Sequence, residues 1–339
     1  MMNNLDSGMI LVTGAAGFIG SVLINELNNR GYDNIIACDS LGNDDRFLNL
    51  IGLKFEDYLD STDLLGIVNE NKNLLNLSCI FHLGACAITT EKDCDYLMKN
   101  NYEYTKSLAC FAAEHGIRFI YASSAATYGD GSAGMSDFGP IEPLRPLNMY
   151  AYSKQLFDLF AQKNDIPGYG LKYFNVFGPN EYHKGTMRSV VIKAYESITS
   201  TDRVKLFKSE NPKFKDGHQL RDFVYVKDVV DMTIFFANID SNLESQSTYG
   251  LYNIASGKAH TWIDLVTPVF QALNKPVNIE YIDMPAELAP KYQYYTLGNI
   301  DKIRNVGYTG HIHTLHDAVT DYVQNYLIPG NKHIQNAKI

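Results

Sequence analysis

The sequence predicts an α/β fold built on a doubly wound parallel sheet, and three observations carry that expectation. The run Met9-Ile10-Leu11-Val12-Thr13 is apolar throughout, as a strand covered by helices on both faces requires. A glycine turn, Gly14-Ala15-Ala16-Gly17-Phe18-Ile19-Gly20, follows at once and opens a helical stretch to about residue 30. The strand pattern then recurs at residues 35–38, 78–83 and 118–122, with a helical stretch near residues 93–115 between the last two.

In chain order, the second strand ends at Asp39, and the strand at 118–122 runs into Ser123-Ser124. A helix carries Tyr150-Ala151-Tyr152-Ser153-Lys154, and further strands are expected at 168–173 and 251–254. From about residue 178 the pattern loosens, with Pro179, Pro212, Pro268, Pro276, Pro285 and Pro290 interrupting it. The expected division is residues 1–177 as a nucleotide-binding domain and 178–339 as a smaller C-terminal substrate-binding lobe. Within the latter, about 221–256 return to the first domain. The polar tail at 329–339 is expected to be loose.

Composition narrows the class. Hydrophobic residues at 45% and charged residues at 20% are near globular averages, which excludes a disordered or fibrous chain. A net charge of -9 with scattered Lys and Arg argues against nucleic acid as a partner. No apolar run approaches the ~20 residues of a membrane span, and residues 1–8 are polar, so a cytoplasmic location is expected. Cys38, Cys79, Cys86, Cys94 and Cys110 are odd in number and lack a C-x-x-C pair, which reads as reduced thiols. His311, His313 and His316 are closely spaced, but no carboxylate or cysteine motif completes a familiar metal site. They read as a surface segment opening the last helix, and no metal is expected.

The glycine spacing gains meaning from its context. Gly14, Gly17 and Gly20 follow a strand and open a helix, and Asp39 closes the next strand 19 residues after Gly20. A pyrophosphate would rest on the helix N-terminus and Asp39 would accept from ribose hydroxyls, the mark of a Rossmann-type dinucleotide site. Asp39 suits NAD, whereas Arg46 could hold the 2'-phosphate of NADP or be a solvated loop residue. Tyr150 and Lys154 stand at i and i+4 on one helix face, where an ammonium could favour the phenolate and make Tyr150 a base. With Ser124 hydrogen-bonding the reacting oxygen, these groups suit carbinol oxidation by a nicotinamide.

The order of glycine turn, serine-bearing strand end and Tyr/Lys helix resembles the extended short-chain dehydrogenase/reductase superfamily over roughly residues 9–327. That resemblance implies NAD(P) chemistry on nucleotide sugars. The segment Tyr173-Phe174-Asn175-Val176-Phe177-Gly178-Pro179-Asn180-Glu181-Tyr182-His183-Lys184-Gly185-Thr186-Met187 adds a finer likeness, in its His-Lys-Gly portion, to the ADP-L-glycero-D-manno-heptose 6-epimerases. Residues 81–86, 205–207 and 220–226 resemble the same family.

The family implies an isomerase that inverts C6'' of the heptose for lipopolysaccharide core supply, with bound NADP (NAD as the alternative) and a homo-oligomeric assembly, for which the family suggests a pentamer. It implies that Tyr150 and Lys184 are the two acid/base groups, Lys154 the cofactor-orienting lysine and Ser124 the active-site hydroxyl. Phe18, Ile19, Asp39, Ser40, Arg46, Leu83, Gly84, Ala85, Cys86, Ala87 and Asn100 fall at its cofactor-contacting positions. Asn175, His183, Thr186, Phe207, Arg221 and Tyr292 fall where it contacts the ADP-sugar. The chain departs from the pattern at Ser61, Ser40 and a longer 209–220 segment, the first two bearing on NADP preference and the third on the nucleotide-contacting loop. Two other readings stand beside this one: another nucleotide-sugar epimerase or 4,6-dehydratase, and a nucleotide-sensing binding protein without turnover.

Overall fold

In a computed structural model of the chain, residues 4–70, 76–239, 248–286 and 292–335 are described. Twelve strands are present among them: β1 (Met9–Thr13), β2 (Ile35–Asp39), β3 (Asp57–Asp60), β4 (Leu77–His82), β5 (Arg118–Ser124), β6 (Tyr169–Tyr173), β7 (Asn175–Phe177), β8 (Val204–Phe207), β9 (Leu220–Tyr225), β10 (Gly250–Ile254), β11 (Ala259–Thr261) and β12 (Ile279–Ile282). Seven form one sheet in the order β10-β6-β5-β4-β1-β2-β3, and every pairing in it is parallel. The α/β, doubly wound expectation holds. β2 and β6 are buried along their whole length; the apolar run Ile35–Cys38 announces the first, whereas the second also buries Lys172. The edge strand β3 reads Asp-Tyr-Leu-Asp with no residue fully buried, so its pattern gave no such signal.

The sheet winds outward from β1 through β2 to β3, then returns to β4 on the other side of β1 and continues through β5 and β6. At that reversal the connections leave the strand ends in opposite directions, opening a crevice at the carboxyl ends of β1 and β4. Two small sheets, β11-β9-β7 and β12-β8, are separate from the large one. The chain then recrosses. The helix Val226–Ala237 packs on the helix Phe18–Asn29, with Arg30 Nη2 at 2.6 Å from Asp231, and β10 joins the edge of the large sheet. Residues 221–225 belong instead to the three-stranded sheet.

The helical stretch expected near 93–115 is present and runs without interruption from Cys94 to His115, through Cys94–Leu97, a π-helical Met98–Glu103 and Tyr104–His115. The wide turn buries Asn101, whose amide serves the cleft described below. Against expectation, the tail is tied down through residue 335: Tyr182 donates to Lys332 O at 2.8 Å, the Ile334 N–H to Asn180 Oδ1 at 2.8 Å, and His333 Nδ1 lies 2.7 Å from Asn49 Oδ1. Residues 336–339 lie outside the described residues. Of the histidine cluster, His313 pairs with Asp228 at 2.5 Å and Thr314 caps the helix Leu315–Tyr322. Among the described residues no three His, Cys, Asp or Glu side chains gather as a metal site. No described helix is long and apolar enough to cross a membrane.

Candidate active site

The crevice at the sheet's reversal opens into a cleft of about 1940 Å³ that runs from the glycine turn to β7 and β9. Gly14 has φ +68°, and a Cβ there would stand 2.8 Å from the Gly84 nitrogen, so only glycine lets the ends of β1 and β4 approach. A Cβ on Gly20 would collide with the Gly14 carbonyl. Gly17 caps the helix Phe18–Asn29 without a side-chain bond, and the first turn holds no acidic residue, leaving its N–H groups to an anion. Asp39 accepts from Ala16 N–H at 2.9 Å and Ser40 N–H at 2.8 Å, while burial pushes its carboxyl above the usual range. Arg46 grips both oxygens of Asp44 at 2.8 and 2.7 Å and leaves Nη1 3.7 Å from Asp39. A close-approach glycine turn, a bare helix N-terminus and a carboxylate at the end of β2 fit a dinucleotide.

The second wall is the loop after β4, Leu83 to Ala87, pinned from both ends. Gly84 N–H donates to Thr13 Oγ1 at 3.0 Å, which itself meets His82 Nδ1 at 2.8 Å, and His82 Nε2 meets Thr105 Oγ1 at 2.9 Å. Asn101 accepts from Cys86 N–H at 2.9 Å and donates to Cys86 O at 3.0 Å and Ser153 Oγ at 3.0 Å. Ser153 in turn donates to Tyr150 O at 2.7 Å, so the loop and the Tyr150 helix Met149–Lys163 are held by one amide.

Tyr150, Lys154 and Ser124 line the same cleft, and the Ser124 hydroxyl bonds the Tyr150 phenol. The expected effect of Lys154 on that phenol is not what the structure has. The Lys154 ammonium donates to Ala122 O at 2.9 Å, and burial lowers its own pKa to about 8. Burial is also the largest influence on Tyr150 and raises it, against the lowering bond from Ser124. The phenol therefore rests as an acid. Beneath it, Lys172 Nζ is 2.7 Å from Asp158 Oδ2, with Thr127 Oγ1 at 2.6 Å and Ser123 donating to the same carboxylate at 2.7 Å. This buried pair braces the end of β5 that carries Ser124.

Lys184 lies on the 3₁₀ segment Tyr182–Met187, with Nζ 5.0 Å from the centre of the Phe18 ring. Burial lowers its pKa, opposed by the fully buried Glu181, which accepts from Ser189 Oγ at 2.7 Å. His183 Nδ1 stands 3.3 Å from Asn49 Nδ2, and burial holds its imidazole down at about 4. The same Asn49 amide donates to Ala16 O at 2.9 Å and Asn180 O at 3.2 Å, joining the Lys184 segment to the glycine turn.

Asn175 on β7, Arg221 on β9 and Tyr292 also line the cleft. Asn175 Nδ2 donates to Asp222 O at 2.9 Å. Four expected site residues stand outside its wall. The Ser40 hydroxyl is 2.5 Å from that of Ser61, Asn100 Nδ2 donates to Tyr96 O at 2.8 Å, Thr186 O accepts from Lys193 at 2.7 Å, and Phe207 O accepts from Gln219 at 3.3 Å. Asn101, Glu181, Gln293 and Trp262 were not foreseen. Only Trp262 left a trace in sequence, as the first residue after Thr261 in a Thr-x-x-Asp helix start.

Residues 10–255 match the model of the NAD dependent epimerase/dehydratase family. An ADP-L-glycero-D-manno-heptose-6-epimerase of Fusobacterium nucleatum is 46% identical over 331 residues, covering 94% of this chain and 98% of the relative. The like-named protein of Nitratidesulfovibrio vulgaris is 45% identical over 322 residues, with 94% and 98% covered. The chain belongs to the NAD-dependent epimerase/dehydratase family. Among solved structures, the Helicobacter pylori ADP-L-glycero-D-manno-heptose-6-epimerase superposes on this epimerase with TM-score 0.77 at 28% identity, covering 96% of this chain and 98% of that one. A Thermus thermophilus UDP-glucose 4-epimerase in complex with NAD, at 22% identity and TM-score 0.70, shares the fold over 93% of this chain and 98% of that one. The cofactor of this epimerase is a nicotinamide dinucleotide.

Proposed function

We propose that the protein inverts C6'' of an ADP-linked heptose, interconverting ADP-D-glycero-D-manno-heptose and ADP-L-glycero-D-manno-heptose, with NADP in the cleft. The observation that carries this reading is that Lys184 shares one cleft with Tyr150, because inversion needs a proton-transfer group for each orientation of the carbinol. The names of the relatives support the substrate. Arg46, within reach of Asp39 at the end of β2, supports NADP, its guanidinium meeting a 2'-phosphate; the carboxylate of Asp39 would by itself suit NAD. The family likeness supports a cytoplasmic homo-oligomer.

A nicotinamide held between the glycine turn and the Leu83 to Ala87 loop would supply the hydride acceptor and donor for C6''. Everything else falls to side chains. One of the two acid/base groups takes the hydroxyl proton as the C–H bond breaks, leaving a ketone. The exocyclic carbon then turns its other face, and the second group returns a proton to the oxygen as the C–H bond re-forms. No external reductant is consumed. Burial disfavours the charged form of each group, easing loss of a proton from the Lys184 ammonium and holding the proton on the Tyr150 phenol until the reacting oxygen takes charge. Ser124 holds the reacting oxygen against Tyr150, and Lys154 holds the cofactor ribose.

The test is incubation with ADP-D-glycero-D-manno-heptose, followed by proton NMR of the sugar, beside UDP-glucose and GDP-mannose. Conversion of the heptose alone is expected. Turnover of UDP-glucose instead would transfer the assignment to a 4-epimerase, and cofactor-loaded protein inert towards all three would favour the sensing role. Mass spectrometry of the denatured supernatant distinguishes NADP from NAD.

A further inference from the structure

Arg221 is buried, 6% exposed, yet among the described residues it has no carboxylate partner. Its guanidinium donates to Leu220 O at 2.9 Å and to Gln293 O, and it lies between two rings, 5.0 Å from the centre of Tyr292 and 5.7 Å from that of Trp262. A buried cation without a counter-ion at the wall of a cleft is matched to an anion that arrives there.

The two rings are joined. Trp262 Nε1–H donates to the Tyr292 hydroxyl at 2.8 Å. An indole nitrogen can only donate, so the phenol oxygen must accept, and its own hydrogen is left to donate elsewhere. Trp262 thereby sets the polarity of Tyr292: beside Arg221, the phenol becomes a second donor for an anionic ligand. The chain places Trp262 firmly. β11 pairs antiparallel with β9 so that His260 lies opposite Arg221, and Thr261 caps the helix Trp262–Ala272 in a reciprocal capping box with Asp264.

The longer 209–220 segment reaches the same group from behind. Phe214 stacks on Tyr294 with ring centres 5.6 Å apart, and Tyr294 meets Tyr292 edge-on at 5.1 Å. The loop is held in place, with Ser209 N–H on Asp216 Oδ1 at 2.7 Å and Gly217 so near the Trp262 helix that a Cβ would stand 3.0 Å from Ile263.

We propose that Trp262 is a positioning residue for the diphosphate of the nucleotide-sugar: it turns the Tyr292 hydroxyl into a donor beside Arg221, and Phe214 and Tyr294 hold Tyr292 against it. The inference rests on the reading that an ADP-sugar occupies this cleft. Trp262→Phe keeps an aromatic ring and removes only the N–H, while Tyr292→Phe removes the acceptor. Each variant should raise KM for the ADP-heptose and weaken ADP binding, followed by calorimetry, by about 3- to 10-fold, the value of one lost hydrogen bond, with kcat within about 2-fold. The double variant should be no worse than the poorer single one, because both remove the same bond. Phe214→Leu should raise KM by about 2- to 3-fold from the loop side, the size of a stacked aromatic pair.

Wild-type KM in Trp262→Phe, or strictly additive losses in the double variant, would overturn the inference. So would a loss of bound cofactor and unfolding midpoint equal to the loss in KM, since that marks a merely structural ring. Failure of wild-type protein to bind ADP at all would instead remove the ADP-sugar reading, visible before any variant is made. Trp262 is the chain's single tryptophan, so its emission reports ADP arrival directly.

Discussion

At the scale of single residues, the cleft assigns opposite tendencies to two groups. Burial lowers Lys184 and raises Tyr150, pushing each towards its neutral form. Tyr150→Phe should reduce turnover by roughly 10² to 10⁴, the usual contribution of a general acid/base, without loss of cofactor. Lys184→Met should cost as much while the ADP-sugar still binds; epimerisation at the wild-type rate in Lys184→Met would remove the argument for C6'' chemistry. Isotope exchange into C6'' by Lys184→Met would show that Tyr150 still serves one face. Much of this was legible in sequence, because Tyr150, Lys154 and Ser124 sit in local patterns whose chemistry depends on spacing. The direction of the Tyr150 shift was not, because it depends on burial and on the Ala122 carbonyl that takes the Lys154 ammonium.

At the scale of elements, strands that carry the glycine turn and Asp39 declared themselves through apolar runs, as β1 and β2 show. β3 did not, since an edge strand can be polar. The π turn Met98–Glu103 was equally silent, because a widened turn does not disturb an apolar pattern enough to be read. Yet it delivers Asn101, which bonds Cys86 through both N–H and carbonyl and also reaches Ser153. Asn101→Ala should therefore leave two buried backbone groups unpaired and lower stability by about 2–4 kcal/mol. Because those groups shape the loop from Leu83 to Ala87, cofactor retention through gel filtration should fall as well. Urea unfolding and the 260 nm absorbance of the eluted protein measure the two effects. A destabilised variant that keeps its cofactor fully would show that the loop needs no such brace. The placement of Trp262 beside Arg221 and Tyr292 was illegible for another reason: the three lie on segments far apart in sequence that the β9–β11 pairing and the backbone bonds of Leu220 to Tyr294 and Thr296 bring together.

At the scale of the whole molecule, the sheet's reversal point holds an acid-sensitive group. His82 is buried between Thr13 and Thr105, and burial holds its pKa down at about 3, against about 6.5 in an unfolded chain. A lowered folded value means that the unfolded chain binds the proton first. The stability His82 lends is complete above about pH 6.5 and is lost as pH falls towards 3, by roughly 2 kcal/mol on reaching pH 5. Urea midpoints at pH 7.5 and pH 5 should separate less in His82→Gln than in wild type, and equal separations would locate the acid sensitivity elsewhere. The bond between His333 and Asn49, 284 positions apart, bears on biosynthesis. Asn49 also holds Ala16 O in the glycine turn, so the cradle made first on the ribosome is fastened by residues made near the end. A nascent chain from which they have not yet emerged lacks that fastening, so its hold on the cofactor should be weaker than that of the released protein.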